Sequence, residues 1–209
     1  MEPHCTTSRF FLILWLLLAG ISMGNALSED SLADEPKPSQ VDADIAIAGI
    51  NGEVTFPLRC KPDGGKAAVV IFITNDCPIA NRFAPEIERI RSDYAGKGVA
   101  LTLAHVDPDL DAETAKTHAK EYGLKASVVI DREHVLVRAT GATVTPEAIV
   151  IDPKGAIQYR GRINDLFAGY GDRRKEPRNH DLRDALDAVL AGKPVAVPET
   201  RALGCFIQE

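Results

Sequence analysis

The order of apolar and polar positions along the chain reads as alternating strand and helix. Ala67–Ile73 is an unbroken apolar run after Asp63-Gly-Gly65, the pattern of a strand buried on both faces. From Pro78 to Tyr94, Ile79, Phe83, Ile87 and Ile90 fall on one stripe, with Glu86, Arg89, Arg91 and Asp93 elsewhere, which predicts an amphipathic helix. Val99–Val106 predicts a second buried strand, and Ala112–Tyr122 a helix ending at Gly123. Ser127–Ile130 predicts a short strand, and His134–Thr140 a short helix closed by Gly141. Ala148–Ile151 and Ala156–Arg160 flank Asp152-Pro-Lys-Gly155 as a hairpin, and Asp181–Leu190 predicts a last helix stopped by Gly192 and Pro194. Upstream, Ile45–Phe56 with Gly52 inside predicts a small hairpin. Crossover units first and a hairpin after give an α/β fold: a mixed central sheet flanked by helices, with an N-terminal hairpin extension.

The N-terminus departs from this pattern. Arg9 precedes the apolar run from Phe10 to Ala19, and the segment ends Met23-Gly24-Asn25-Ala26. Charge, apolar run and small residues in that order predict a secretory signal cleaved after Ala26. The alternative is an uncleaved anchor, but the fully apolar run is shorter than the ~20 residues a membrane span needs. The expected organisation is a signal peptide over 1–26, an acidic, Pro/Ser-containing flexible tether over 27–42, a domain over 43–192, and an extended tail over 193–209. The protein is then exported, periplasmic or extracellular, with no membrane contact after cleavage.

Net charge is −6 and no Lys/Arg-rich run stands out, so nothing suggests a nucleic-acid-binding surface. Export changes the meaning of the cysteines. Cys5 leaves with the signal, and Cys60, Cys77 and Cys205 remain, an odd number for an oxidising compartment. At least one is therefore free, reactive or paired with another molecule.

Cys77 falls where the first buried strand gives way to the helix, and Pro78 suits the first helical position. A thiolate there faces free backbone N–H groups and the positive end of the helix dipole, which lowers its pKa, while Asp76 pushes the other way. No metal site is expected. His105, His118, His134 and His180 lack companion Cys/His spacing, and Asp107-Pro-Asp-Leu-Asp111 lacks the glycine and terminal glutamate of a calcium loop. Asn81 stands where a copper chaperone would need a second cysteine. No cofactor is expected either.

The segment Phe72-Ile-Thr-Asn-Asp-Cys-Pro-Ile-Ala-Asn-Arg-Phe-Ala-Pro-Glu-Ile87 resembles the active-site segment of thioredoxin-like proteins, with Pro85 at the helix-kinking position. Val144-Thr-Pro-Glu-Ala-Ile-Val-Ile-Asp152 resembles their cis-proline segment. The stretch Glu121-Tyr-Gly-Leu and the added elements at 127–140 resemble the redoxin branch, which includes the alkyl hydroperoxide reductase/thiol-specific antioxidant group. The tail Pro198–Ile207 is similar to the end of exported redoxins with a Cys-Pro-x-Ala-Asn site. The resemblance implies that Pro146 faces Cys77 in the cis form, and that Thr145, Pro146 and Pro78 line the place where a partner's extended chain docks beside the sulfur.

Two departures shape the expected chemistry. Ala80 replaces the second cysteine of the C-x-x-C motif, so Cys77 has no local resolving thiol. Thr74 supplies the Thr-x-x-Cys part of a peroxiredoxin motif, but Val70 stands for its proline and Pro146 for its arginine. Arg160, Arg162, Arg173 and Arg174 are either substitutes for that arginine or solvated surface charges. Ala67 to Cys77 spans roughly 33 Å if extended, which puts Cys60 at the far end of the sheet, in a structural role. The tail, with Pro194 and Pro198, reaches about 45 Å when extended, enough to bring Cys205 to Cys77. Cys205 is thus the expected resolving thiol, the alternatives being a free thiol or a bond to another molecule. The expected function is thiol-dependent redox chemistry on a disulfide or peroxide, with Cys77, Cys205 and Thr74 catalytic and an external thiol or thioredoxin-like reductant as partner. The alternatives are a slow peroxidase and a redox-inactive binding module. The stretch Gly161–Asn179, with Phe167, Tyr170, Arg173 and Arg174, is either a lid over the site or a surface loop.

Overall fold

The computed structural model describes residues 39–208. The expected signal segment Met1–Ala26 and residues 27–38 of the expected tether lie outside the described residues. Strands β1 (Ile47–Ala48) and β2 (Val54–Thr55) form the N-terminal hairpin. The central sheet then builds from β3 (Ala67–Ile73), helix α1 (Pro78–Tyr94), β4 (Val99–His105), α2 (Ala112–Glu121), β5 (Ser127–Ile130) and α3 (Val135–Thr140). It is completed by β7 (Glu147–Ile151) and β8 (Ile157–Gly161), after a two-residue strand β6 (Val144–Thr145). A hairpin of β9 (Phe167–Gly169) and β10 (Asp172–Arg173) precedes α4 (Asp181–Leu190), and β11 (Cys205–Phe206) ends the chain.

The five-stranded sheet has the order β5-β4-β3-β7-β8, with β3, β4 and β5 parallel and β7 and β8 antiparallel to their neighbours. This is the mixed α/β architecture the alternating pattern predicts. The apolar run of β3 is continuous because both faces are covered. Val69, Ile71 and Ile73 pack with Phe83, Ile87 and Ile90 of α1 and with Leu182 and Leu186 of α4. Ala68, Val70 and Phe72 pack on the other face with Leu58 and with Leu136 and Val137 of α3. At roughly 25 cal/mol per Å² of buried apolar surface, these two layers are the main stabilising term.

Three connections add to or differ from the sequence reading. Ser39–Asp42, the end of the expected tether, are tied to the domain: Val41 is buried, its amide donates to Gly155 O at 2.9 Å, and Ser39 O accepts from the Ile157 amide at 2.9 Å. The stretch 161–179 is not a plain loop, since it holds the β9–β10 hairpin. The tail is laid against the domain. The Arg160 amide of β8 donates to Pro198 O at 2.9 Å, and β11 pairs antiparallel with β6. Among the described residues no helix is long and apolar enough to cross a membrane.

Candidate active site

Cys77 is the N-cap of α1, with Pro78 at the first helical position, and it is completely buried. Its sulfur accepts from the Ala80 amide at 3.5 Å, an orphan donor of the first helical turn. Its S–H donates to the Thr145 carbonyl at 3.1 Å. The Thr145–Pro146 peptide is cis, as the resemblance implies, and it faces the cysteine from the start of β7.

The third neighbour is Cys205. β11 places its sulfur 2.9 Å from that of Cys77, across 128 residues of sequence, with the Cys205 S–H donating to Cys77. Both thiols are free. Burial works to raise the Cys77 pKa, but hydrogen bonds from Cys205, the Ala80 amide and the Thr145 hydroxyl outweigh it, and the thiol is held below its ordinary value. Cys205 moves the other way. Burial, the hydrogen bond it gives Cys77, and the negative charges of Cys77 and Asp76 push it up to about 11. Asp76, expected to oppose ionisation of Cys77, thus acts on Cys205. One sulfur is poised as a thiolate and its neighbour as the donor that stabilises it.

The other predicted site residues fall into two groups. Thr74 is near but not on the sulfur: its hydroxyl lies 3.4 Å from the Thr145 hydroxyl and reaches Cys77 only through that residue. Pro78 is exposed beside the site, and Pro146 lines a cavity of about 200 Å³ with Phe83, Phe167, Arg174, Arg201 and Leu203. Three of the four candidate arginines are committed elsewhere. Arg160 Nε donates to Thr140 O at 3.0 Å, Arg162 holds Asp181 with two bonds of 2.8 and 3.0 Å, and Arg174 pairs with Asp165 at 3.3 Å. Arg173 lies exposed in β10, and no guanidinium is among the groups that shift the Cys77 thiol. Cys60 donates to Ile151 O at 3.7 Å, and Ile151 pairs with Ala68 at the opposite end of β3 from Cys77.

Three supporting groups lie in segments the sequence reading marked, but it gave none of them the role it has here. The buried carboxylate of Glu147 accepts from the Thr143 amide at 2.7 Å and fixes the turn ahead of the cis-proline. Asn81 donates to Asn75 O at 2.8 Å and receives His118 Nε2 at 2.8 Å, tying the loop before Cys77 to α2. Tyr170, at the tip of the β9–β10 hairpin, donates to Gly204 O at 2.8 Å and clasps the tail. Among the described residues no group of three or more His, Cys, Asp or Glu side chains is placed to hold a metal ion.

A thiol capping the helix after the central strand, opposite a cis-proline that opens the next antiparallel strand, defines a thioredoxin-like protein. The Redoxin family model matches residues 56–170, and the chain belongs to that family, the redoxin branch of the thioredoxin-like oxidoreductases. Among curated relatives, the thiol-disulfide oxidoreductase ResA of Halalkalibacterium halodurans is 24% identical over 153 residues, 71% of this chain and 84% of that protein. The thiol-disulfide oxidoreductase YkuV of Bacillus subtilis is 26% identical over 114 residues, 54% of this chain and 75% of that protein. Among solved structures, an uncharacterized conserved protein from Geobacillus kaustophilus superposes with a TM-score of 0.70 at 26% identity, over 83% of this chain and 92% of that one. A hypothetical protein from Sinorhizobium meliloti gives 0.69 at 27% identity, over 82% and 93%.

Proposed function

We propose that this protein is an exported thiol-disulfide oxidoreductase in which Cys77 attacks and Cys205 resolves. The 2.9 Å separation of the two sulfurs carries the reading. The Cys77 thiolate attacks one sulfur of a substrate disulfide, forming a mixed disulfide and releasing the other sulfur as a thiolate that takes a proton from water. Cys205 then loses its proton to solvent and attacks the Cys77 sulfur, which expels the substrate's remaining thiol and leaves a Cys77–Cys205 disulfide. Two electrons pass from the cysteine pair to the substrate. Cys205 is exposed, so an external thiol or thioredoxin-like reductant can attack its sulfur and restore both thiols. In this scheme Thr74 positions Thr145, while Thr145 and Pro146 present the substrate. A slow peroxidase gains no support from the site, because the Thr74 hydroxyl faces Thr145, Arg160, Arg162 and Arg174 hold other partners, and no guanidinium is among the groups that shift the Cys77 thiol. Two thiols in contact also weigh against a redox-inactive binding module.

Export and cleavage after Ala26 rest on the composition of the N-terminus. The test has two parts. Peptide mapping of air-oxidised protein under non-reducing conditions is expected to yield a Cys77–Cys205 linked peptide, and a Cys60–Cys205 link in its place refutes the pairing. N-terminal sequencing of native protein is expected to begin at Leu27, and an intact Met1 refutes cleavage.

A further inference from the structure

Cys77 is completely buried while the tail is in place, so no macromolecular disulfide reaches it in the state described. The groove beside it is occupied by the chain itself. Cys205 stands opposite Thr145 and Phe206 opposite Val144 in an antiparallel pair, and the Ile207 amide donates to Thr143 O at 3.0 Å. At the residue before Cys205 the fit admits no side chain. A Cβ on Gly204 would lie 1.9 Å from the Thr145 carbonyl oxygen and 3.1 Å from Pro146 N. Tyr170 receives that residue by its carbonyl alone, at 2.8 Å. The neighbouring cavity, lined by Pro146, Phe83 and Phe167, takes the chain just upstream through Leu203.

Every contact that seats Gly204 and Cys205 is thus made to backbone, to sulfur or to the space a missing Cβ leaves. Nothing in that set is particular to this tail. A different chain presenting glycine then cysteine in an extended strand meets the same carbonyls, the same Tyr170 hydroxyl and the same sulfur. The geometry points to a groove that selects a protein partner by a glycine immediately before its reactive cysteine, with residues 203–207 as a displaceable occupant of the same groove.

This rests on the reading of Cys77 as the attacking thiol. The tail swings out, the partner strand pairs with β6, and Cys77 attacks the partner's cysteine sulfur, expelling the sulfur to which it was bonded. When the tail strand returns it competes for the same backbone groups, so strand exchange and attack by Cys205 release the partner together. The tail is a copy of the ligand that clears the site at each turnover.

The experiment uses the full chain carrying Cys205→Ser, which stops the reaction at the mixed disulfide. Two synthetic peptides, a copy of residues 201–207 and the same peptide with Gly204→Ala, are activated at their cysteine as mixed disulfides with thionitrobenzoate. Release of that chromophore reads attack by Cys77. The glycine peptide is expected to react about tenfold faster, the effect of an overpacked methyl at a backbone contact. A second full-chain protein, Cys205→Ser with Gly204→Ala in its own tail, is expected to react several-fold faster with the glycine peptide, because its occupant is weakened. Equal rates for the two peptides overturn the selectivity, and equal rates for the two proteins overturn the competition. Cystamine, too small to need the groove, separates the causes. Failure of Cys77 to form a cystamine adduct overturns the attacking-thiol reading and this inference with it, whereas normal cystamine reaction with undiscriminated peptides overturns this inference alone.

Discussion

Thr200 and Arg160 are bound to each other through their backbones: the Thr200 amide donates to Arg160 O at 3.0 Å, which lays the tail against the edge of β8. The Thr200 hydroxyl adds a 2.6 Å contact to the Tyr159 hydroxyl and a 3.1 Å bond from the Arg162 amide. The contact is possible because the next residue of β8 is glycine. A Cβ on Gly161 would fall 2.2 Å from Thr200 Oγ1 and 2.3 Å from Thr200 O, and Gly161 has φ +147. Gly161→Ala is therefore expected to cost about 1–3 kcal/mol, as overpacking does, and to loosen the tail upstream of Cys205. Urea denaturation reads the first effect, and the rate of Cys77–Cys205 disulfide formation reads the second. Unchanged disulfide formation would show that Cys205 reaches its place without this anchor.

The two ends of β3 separate the cysteines by role. Cys60 gives its proton to Ile151 O and is pushed up by burial and by the charge of Asp152, which leaves it a poor nucleophile. Cys77→Ser is expected to reduce disulfide reduction to background, while Cys60→Ser keeps most of it. Turnover of insulin disulfides with an added dithiol measures both. Equal losses would refute the division.

Elements that bury a periodic face could be read from the chain. Ala67–Ile73, Pro78–Tyr94 and Asp181–Leu190 have the bounds the apolar pattern gives, because each must cover one layer of the core. Elements made by long-range pairing could not. β6 and β11 have two residues each, too few for any period, and exist only because Cys205 meets Thr145 across the fold. Tail length told that Cys205 can arrive at Cys77 but not what holds it there. Gly204 has a meaning only beside the Thr145 carbonyl, and Tyr170 only beside Gly204. Thr74 and Asp76 were legible as neighbours of the site, yet their side chains act on Thr145 and Cys205.

A buried histidine pair makes the fold sensitive to acid. His105 is fully buried, its ring lies 5.1 Å from that of His118, and neither of its ring nitrogens has a hydrogen-bond partner among the described residues. Burial, with a smaller contribution from His118, lowers its pKa to about 4 from the usual 6.5. His118 is lowered by burial as well, with Glu121 opposing. The folded protein keeps His105 neutral while the unfolded chain takes up a proton below about 6.5, so stability is lost as pH falls from there toward 4. The loss from His105 between pH 7 and pH 5 is about 2 kcal/mol at most. Urea midpoints at the two pH values measure it, and His105→Leu is expected to shrink the difference. A difference unchanged in that variant would place the acid sensitivity elsewhere.

The sharpest test of the cysteine pair is the pH dependence of Cys77 alkylation. Iodoacetamide reacts with the thiolate, so the rate at Cys77 follows its ionised fraction and rises with pH through its pKa. In the wild type the midpoint is expected below the ordinary thiol value of about 8.5, because the Cys205, Ala80 and Thr145 hydrogen bonds stabilise the thiolate against burial. Cys205, held up to about 11, remains protonated over that range and continues to donate. Cys205→Ala deletes the largest of the lowering contacts and the competing nucleophile together. Its midpoint is expected to rise, although absolute rates are expected to increase as the tail's grip on the groove weakens. Midpoint and rate therefore rise together, whereas a general loosening of the site, by relieving burial, would raise the rate and lower the midpoint. Cys205→Ser retains a hydroxyl donor and is expected to fall between the two. The peptide carrying Cys77 is quantified by mass spectrometry across the pH series. A Cys205→Ala midpoint equal to or below that of the wild type would mean that Cys205 does not stabilise the thiolate, and that the Ala80 amide and the Thr145 hydroxyl set the reactivity of Cys77.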